Sequence, residues 1–152
     1  MISERLVELG IALPAVFPPA GNYLGCVIDD GLVYVGGHGP IDGALVIRGK
    51  VGGDLSLEEG YRAARLTSLS ILATLQQALG DLDRIARIVK VFGMVNVAPG
   101  FNQTPAVIDG CSDLLIEVFG EAGRHTRSAV GLAELPFDIA VEIELIARVR
   151  PE

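Results

Sequence analysis

The chain of 152 residues contains no tryptophan, only two cysteines and two histidines, and aromatic residues make up 5% of it. Cys26 and Cys111 form no CxxC pair and have no secretory context, so a disulfide framework is excluded and two reduced thiols in apolar surroundings are expected. His38 and His125 lack acidic or cysteine partners at fixed spacing, so no metal site is expected. No stretch approaches the roughly 18 apolar residues of a membrane span. Ser3, Glu4, Arg5 and Glu8 stand where a secretory leader would need an apolar run, and the expected location is the cytoplasm, with no membrane partner. Basic charge is also scarce. Twelve Lys and Arg against nineteen Asp and Glu give a net charge of -7. The densest basic groups, Arg84 with Arg87 and Arg124 with Arg127, are pairs rather than runs. Such a chain repels a phosphate backbone, and nucleic-acid binding is disfavoured.

What is present is aliphatic. Half the residues are hydrophobic and 20% are charged, enough for one domain burying roughly 70% of its unfolded surface. Residues 1–14 read as a helical appendage, with Ser3 as N-cap and Gly10 past the helix end, and 15–152 as the domain itself. The segment 14–23, PAVFPPAGNY, holds too much proline for a helix or a central strand and should run extended over the surface. Strands are expected around 24–28 and 32–36, joined by the Asp-Asp-Gly turn, then a glycine-rich loop over 39–54 with one brief strand near 45–47. Ser56 with Glu59 forms a capping box for a helix running to Leu79. Residues 85–97 suit a central strand, and Val107, Ile108, Cys111, Leu114 and Leu115 stripe a helix over about 103–122. Strands at 127–135 and 139–149 close the chain. This order predicts an α+β fold, one mixed sheet with two helices packed on one face.

If the last two strands form a hairpin across 136–138, Val130, Leu132, Val141, Ile143 and Leu145 face the helices. The other face then carries Arg127, Ala129, Gly131, Glu142 and Glu144, with Arg127 opposite Arg148 and on the order of 20 Å from Glu142. A face of small and charged side chains invites close approach of another chain, so an oligomer is implied. Arg127 is a candidate carboxylate binder, because guanidinium presents planar paired donors, or else an edge-strand arginine in an ion pair. Glu142 is a candidate general acid or base, or else a solvated carboxylate. Their separation means that a shared site would form between neighbouring chains. Tyr23, after Gly-Asn in an exposed loop, could cover a pocket or plug a core edge. Ser112 and Ser128 have no base that the sequence identifies, so no nucleophile triad is expected.

The segments NY (22–23), YVGGHGP (34–40), VKVFGMVNV (89–97), RSAV (127–130), LP (135–136) and VEIELIA (141–147), in this order and spacing, resemble the RidA/YjgF family. GKVGGDLS (49–56) and VFGEAGRHTRSAVG (118–131) are closest to the branch with an N-terminal extension. The resemblance implies a chorismate-mutase-like fold of the bacillus type, in homotrimers with sheets inside, helices outside and ligand clefts between subunits. It implies an enamine/imine deaminase that needs no cofactor. Arg127 would clamp the carboxylate of a 2-imino acid, Glu142 would activate water or relay a proton, Tyr23 would cover the ligand, and the backbone of Gly37 and Ala129 would line the cleft.

The sequence also departs from that pattern. Gly36 stands where many members have serine, His38 where glutamine is common, Ala129 where cysteine is common, and Asp109 takes the place of a usual asparagine, adding a negative charge near a site for anions. Loss of the serine removes a hydroxyl that could orient ligand or water. A second expectation is therefore a non-catalytic trimeric protein that binds a small carboxylate metabolite through Arg127. The ribonuclease label attached to parts of the family sits poorly with the charge of -7.

Overall fold

Ser56 opens the longest helix as its spacing predicts: its hydroxyl accepts from the Glu59 amide (3.1 Å) and the Glu59 carboxylate accepts from the Ser56 amide (2.7 Å). The computed structural model describes residues 1–151. In chain order its elements are α1 (Ile2–Glu8), β1 (Cys26–Asp29), β2 (Leu32–His38), β3 (Ile41–Asp42), β4 (Leu45–Val46), α2 (Leu57–Leu79), β5 (Ile85–Asn96), α3 (Thr104–Phe119), β6 (Thr126–Leu132) and β7 (Val141–Val149). The fold is α+β, as expected. Asp30 and Gly31 (φ 47° and 72°) make the two-residue turn between β1 and β2, where a left-handed backbone matches the strand twist. The brief strand expected near residue 45 pairs with β3 as a separate small hairpin. The first helix begins at Ile2 rather than after Ser3, and docks by burying Leu6 and by a hydrogen bond from Arg5 Nε to the Glu117 carbonyl (2.9 Å).

One five-stranded sheet has the order β1-β2-β7-β5-β6, with β6 parallel to β5 and the other pairs antiparallel. The expected terminal hairpin is therefore not formed: β5 lies between β6 and β7. The physical reason lies in what each strand can bury. In β7 five alternating residues, Val141, Ile143, Leu145, Ala147 and Val149, are buried, so the strand gains most at the centre of the sheet. β6 offers only small or polar side chains over Thr126–Ala129 and takes the edge. A parallel β5–β6 pair needs a long crossover, and α3 supplies it.

This order reverses the face assigned to β6. Arg127 pairs with Val91 and Ala129 with Gly93, and both rows lie on the helix side, because Val91 in turn faces buried Leu145. Val130 instead sits on the open face, in one row with Met94 and Glu142. Arg127 pairs nowhere near Arg148, which lies beside Arg87 and Leu32.

Two further contacts brace this frame. Asn96 is fully buried at the end of β5, where its Nδ2 donates to Asp138 Oδ1 (2.9 Å) and the Gly49 carbonyl (3.4 Å), and its Oδ1 accepts from Lys50 Nζ (2.9 Å). It thereby fixes the turn at 136–138, in which Phe137 and Asp138 are both left-handed (φ 58° and 56°). The other contact is the crossing of α2 and α3 at Gly110, where a Cβ would lie 2.1 Å from the Tyr61 carbonyl oxygen.

Backbone on both sides of that crossing leaves no flexible side chain to yield. Gly110→Ala should therefore lower stability by about 3 kcal/mol, at the upper end of overpacking costs. Denaturant unfolding with an unchanged m-value checks this, and a loss under about 1 kcal/mol would mean that the helices separate cheaply.

Candidate functional site

β7 alternates, so each residue that does not face the helices faces the open side of the sheet, where Glu144 and Ile146 line a shallow hollow beside Tyr34 and Phe92 and Glu142 lines a separate cavity. The cavity, about 320 Å³, lies between the proline-rich segment at 17–20, the irregular end of β2, the β3–β4 hairpin and the 136–139 turn. Its walls are mostly apolar, including Phe17, Pro18, Val46 and Ile139, with Glu142, His38 and Arg48 as polar groups. A volume of this size suits a small metabolite.

The register of β2 against β7 shifts between Val35 and His38, and this bulge brings Gly37 over the Glu142 carboxylate. A Cβ on Gly37 would lie 2.7 Å from Glu142 Oε2, so any side chain here would push the carboxylate out of this position. Among the described residues no donor reaches Glu142, whose pKa is raised by burial and secondarily by the neighbouring Glu144. His38 is held neutral: its ring contacts the Gly36 carbonyl through Nδ1 (2.7 Å) and Thr74 Oγ1 through Nε2 (2.9 Å), and burial lowers its pKa. The carbonyl can only accept, so Nδ1 carries the proton and Nε2 accepts from Thr74. Tyr23 lies against the cavity, half exposed, its hydroxyl accepting from the Ala20 amide (3.1 Å).

Of the residues singled out in the sequence, Tyr23, Gly37 and Glu142 come together in this cavity, while Arg127, Ala129 and Asp109 do not line it. Arg127 and Glu142 lie on opposite faces of the sheet, two strands apart and offset by three residues in register, roughly 10 Å in each direction. One chain does not unite them, in keeping with the expectation of separation, although the geometry differs from the hairpin assumed. Arg127 is gripped by α3: Nη1 donates to Asp109 Oδ1 (2.8 Å) and Ser112 Oγ (3.1 Å), and Nη2 to the Pro105 carbonyl (3.3 Å). Among the described residues Nε has no acceptor, so the Nε edge stays available. Thr104 Oγ1 donates to the Ala129 carbonyl (3.0 Å), which ties the start of α3 to β6.

Two features escape sequence reasoning. Ser112 does have a basic neighbour: its Oγ is 3.0 Å from His125 Nε2, and His125 Nδ1 is 2.7 Å from the Gly123 carbonyl. Burial, with the Arg127 charge as a lesser cause, lowers the His125 pKa, so neutral Nε2 accepts the Ser112 proton and turns the hydroxyl lone pairs toward Arg127. The thirteen-residue separation of serine and histidine carries no periodic signal that would join them. Arg48 has no distinguishing pattern inside its glycine-rich loop, yet it lines the cavity, with Nε donating to the Phe137 carbonyl (3.2 Å). Among the described residues no group of three or more His, Cys, Asp or Glu could hold a metal ion, and no helix is long and apolar enough to cross a membrane.

A family model described as "YjgF/chorismate_mutase-like, putative endoribonuclease" matches residues 3–149. Protein TCP17 of Trypanosoma cruzi is 42% identical over 149 residues, 95% of this chain and 92% of that protein. A crystal structure of a protein of unknown function from Agrobacterium tumefaciens superposes with a TM-score of 0.91 at 41% identity, over 98% of this chain and 92% of that one. A "putative endoribonuclease" from Shewanella oneidensis gives 0.94 at 37% identity, over 98% and 99% of the two chains.

The raised pKa of Glu142 makes the carboxylate a liability to the fold once ionised. A folded value above the unfolded one means that stability is complete below the ordinary carboxylate range and is lost as pH rises through the folded pKa. Glu142→Gln should therefore melt higher than the wild type at pH 8, with the gap closing as pH falls toward the ordinary carboxylate value. Thermal melts across this range check it, and a gap that does not change with pH would refute the burial argument.

Proposed function

Because this chain belongs to the YjgF/chorismate-mutase-like family, the RidA/YjgF proteins that its sequence resembles, we propose that it is an enamine/imine deaminase. It would hydrolyse reactive 2-imino acids to 2-keto acids and ammonia. One observation carries the reading: the Glu142 carboxylate has no hydrogen-bond donor among the described residues, in an apolar cavity that raises its pKa toward the range where a base works at neutral pH. Water adds to the C=N carbon, Glu142 takes the water proton, and the C=N electron pair moves onto nitrogen. Glu142 then returns a proton to the nitrogen, and as the C–N bond breaks the hydroxyl oxygen forms the C=O bond and gives its own proton to the carboxylate or the departing ammonia, releasing ammonium and the keto acid. The iminium is already electrophilic, so orientation and charge suffice and the reaction calls for no cofactor.

Arg127 is the proposed carboxylate clamp, acting from a second copy of the chain. Its Nε edge is open while Asp109 and Ser112 hold the remainder of the guanidinium, so it is set in place before ligand arrives. A homotrimer would bring this edge strand to the cavity of the next subunit. Support comes from the open face of the sheet, where Val27, Tyr34 and Val130 are exposed beside partly buried Phe92 and Met94. Asp109 would then set the polarity of the cleft from α3, and Ala129 would contribute backbone. The alternative, a trimer that binds a small carboxylate metabolite without turnover, is favoured by Gly36, which offers no hydroxyl. The endoribonuclease wording of the family description finds little support in a charge of -7 without a basic run.

The decisive assay measures keto-acid release from imino acids generated in place by an amino-acid oxidase. The wild type should exceed the spontaneous rate, and Glu142→Gln should lose on the order of 10²- to 10⁴-fold in kcat. Arg127→Ala should weaken substrate binding most, and light scattering should give the mass of a trimer. The acid limb of the pH profile should lie above the ordinary carboxylate range, because the base must be ionised and its pKa is raised. A wild type that matches the spontaneous rate over several side chains, yet binds keto acids through Arg127, would establish the binding protein instead.

A further inference from the structure

The deaminase chemistry gives Arg48, a charged group of the cavity, no part. Arg48 lies at the mouth, in an isolated β-bridge with Ile139, and its Nε is fixed on the Phe137 carbonyl (3.2 Å). Among the described residues neither terminal nitrogen has an acceptor. Among the described residues no ion pair joins it to Glu142, although both line the same cavity. The carbonyl that orients it belongs to a strained segment, since Phe137 and Asp138 are both left-handed residues other than glycine. That conformation is held by Asn96 on the Asp138 carboxylate (2.9 Å) and by the Gly49 amide on the Asp138 carbonyl (2.8 Å). Strain maintained by surrounding bonds is characteristic of ligand sites, and here it anchors the exposed Arg48 guanidinium through Nε at the edge of a mostly apolar cavity.

A cation and a carboxylate that line one cavity without pairing ask for a ligand of complementary polarity, positive at Glu142 and negative at Arg48. We propose that the substrate is a 2-imino acid whose side chain ends in a second carboxylate, with Arg48 binding that distal group end-on. The mostly apolar lining would accommodate the methylene chain, and the two terminal nitrogens of Arg48 match the two oxygens of a carboxylate. The α-carboxylate remains for Arg127 and the iminium nitrogen for Glu142. This assignment rests on the deaminase reading for the iminium, whereas the distal contact is independent of turnover.

Two measurements separate the parts. Hydrolysis of the imine formed from glutamate is compared with that of the imine formed from 2-aminobutanoate, for wild type, Arg48→Gln and Arg48→Lys. The wild type should favour the diacid by about tenfold or more in kcat/KM. Arg48→Gln should lose about tenfold more on the diacid than on the monoacid, mainly through KM, and Arg48→Lys should recover part of it. Equal losses on both substrates, or a wild-type preference for the monoacid, would overturn the proposal. Calorimetric titration with 2-oxoglutarate and 2-oxobutanoate gives the second reading. Selective loss of 2-oxoglutarate binding in Arg48→Gln, without hydrolysis of any imine, supports the distal contact and defeats the deaminase reading. Brisk hydrolysis indifferent to Arg48 does the reverse.

Discussion

The buried carboxamide of Asn96 is the contact on which the site depends. It sits at the end of the central strand β5 with no exposure to water, and both of its polar ends are engaged: the nitrogen with Gly49 and Asp138, the oxygen with Lys50. A buried amide is tolerable only when satisfied. Satisfying this one fixes three segments far apart in sequence: the glycine-rich loop that carries Arg48, the end of β5, and the left-handed turn beneath the cavity mouth. Lys50 also bonds the Ala133 carbonyl, so the link from β6 toward β7 is tied to the same point. The cavity is thus shaped from the end of the sheet, and its loops are cross-linked by hydrogen bonds although they contain little regular structure.

Within that frame the electrostatics are uneven. Glu142 sits where its charge is poorly solvated and unpartnered among the described residues, while the other acidic residue assigned to the site, Asp109, is spent holding Arg127. One carboxylate is placed for reactivity and the other for orientation. The Ser112–His125 pair extends the second role. A neutral histidine fixes the direction of the serine proton, which leaves the hydroxyl as an acceptor for the guanidinium. Arg127 therefore stands on a scaffold of α3 and the 120–123 turn, and does not wander as an exposed edge-strand side chain would.

Much of this is legible in the sequence where the signal is local. The capping box at Ser56 and Glu59, the Asp-Gly turn after β1 and the apolar stripe of α3 depend on neighbours within four residues, and each lies where its pattern puts it. The family resemblance likewise rests on motifs that the family model matches over residues 3–149. Strand order is not legible. Proximity in sequence suggests a hairpin of β6 and β7, whereas the burial demand of five alternating aliphatic residues in β7 places that strand between β2 and β5. Because side chains alternate, the wrong partner puts Arg127 and Ala129 on the wrong face. Arg48 and His125 owe their positions to tertiary contacts with Phe137 and Ser112, which no spacing rule conveys.

The place of β7 has a further consequence, for the order in which the molecule comes into being. Among the described residues the strand that carries Glu142 comes after all the others in the chain, yet it alone joins the β1–β2 hairpin to the β5–β6 pair within the sheet. Without it the two halves of the sheet would share no ladder of hydrogen bonds. Closing it means forming ladders on both sides of one segment, with partners on β2 more than a hundred residues away along the chain. Such non-local pairing is slow to find and cooperative once found. The cavity is lined by Glu142 of that strand, so its carboxylate is set in place by the least local pairing in the sheet.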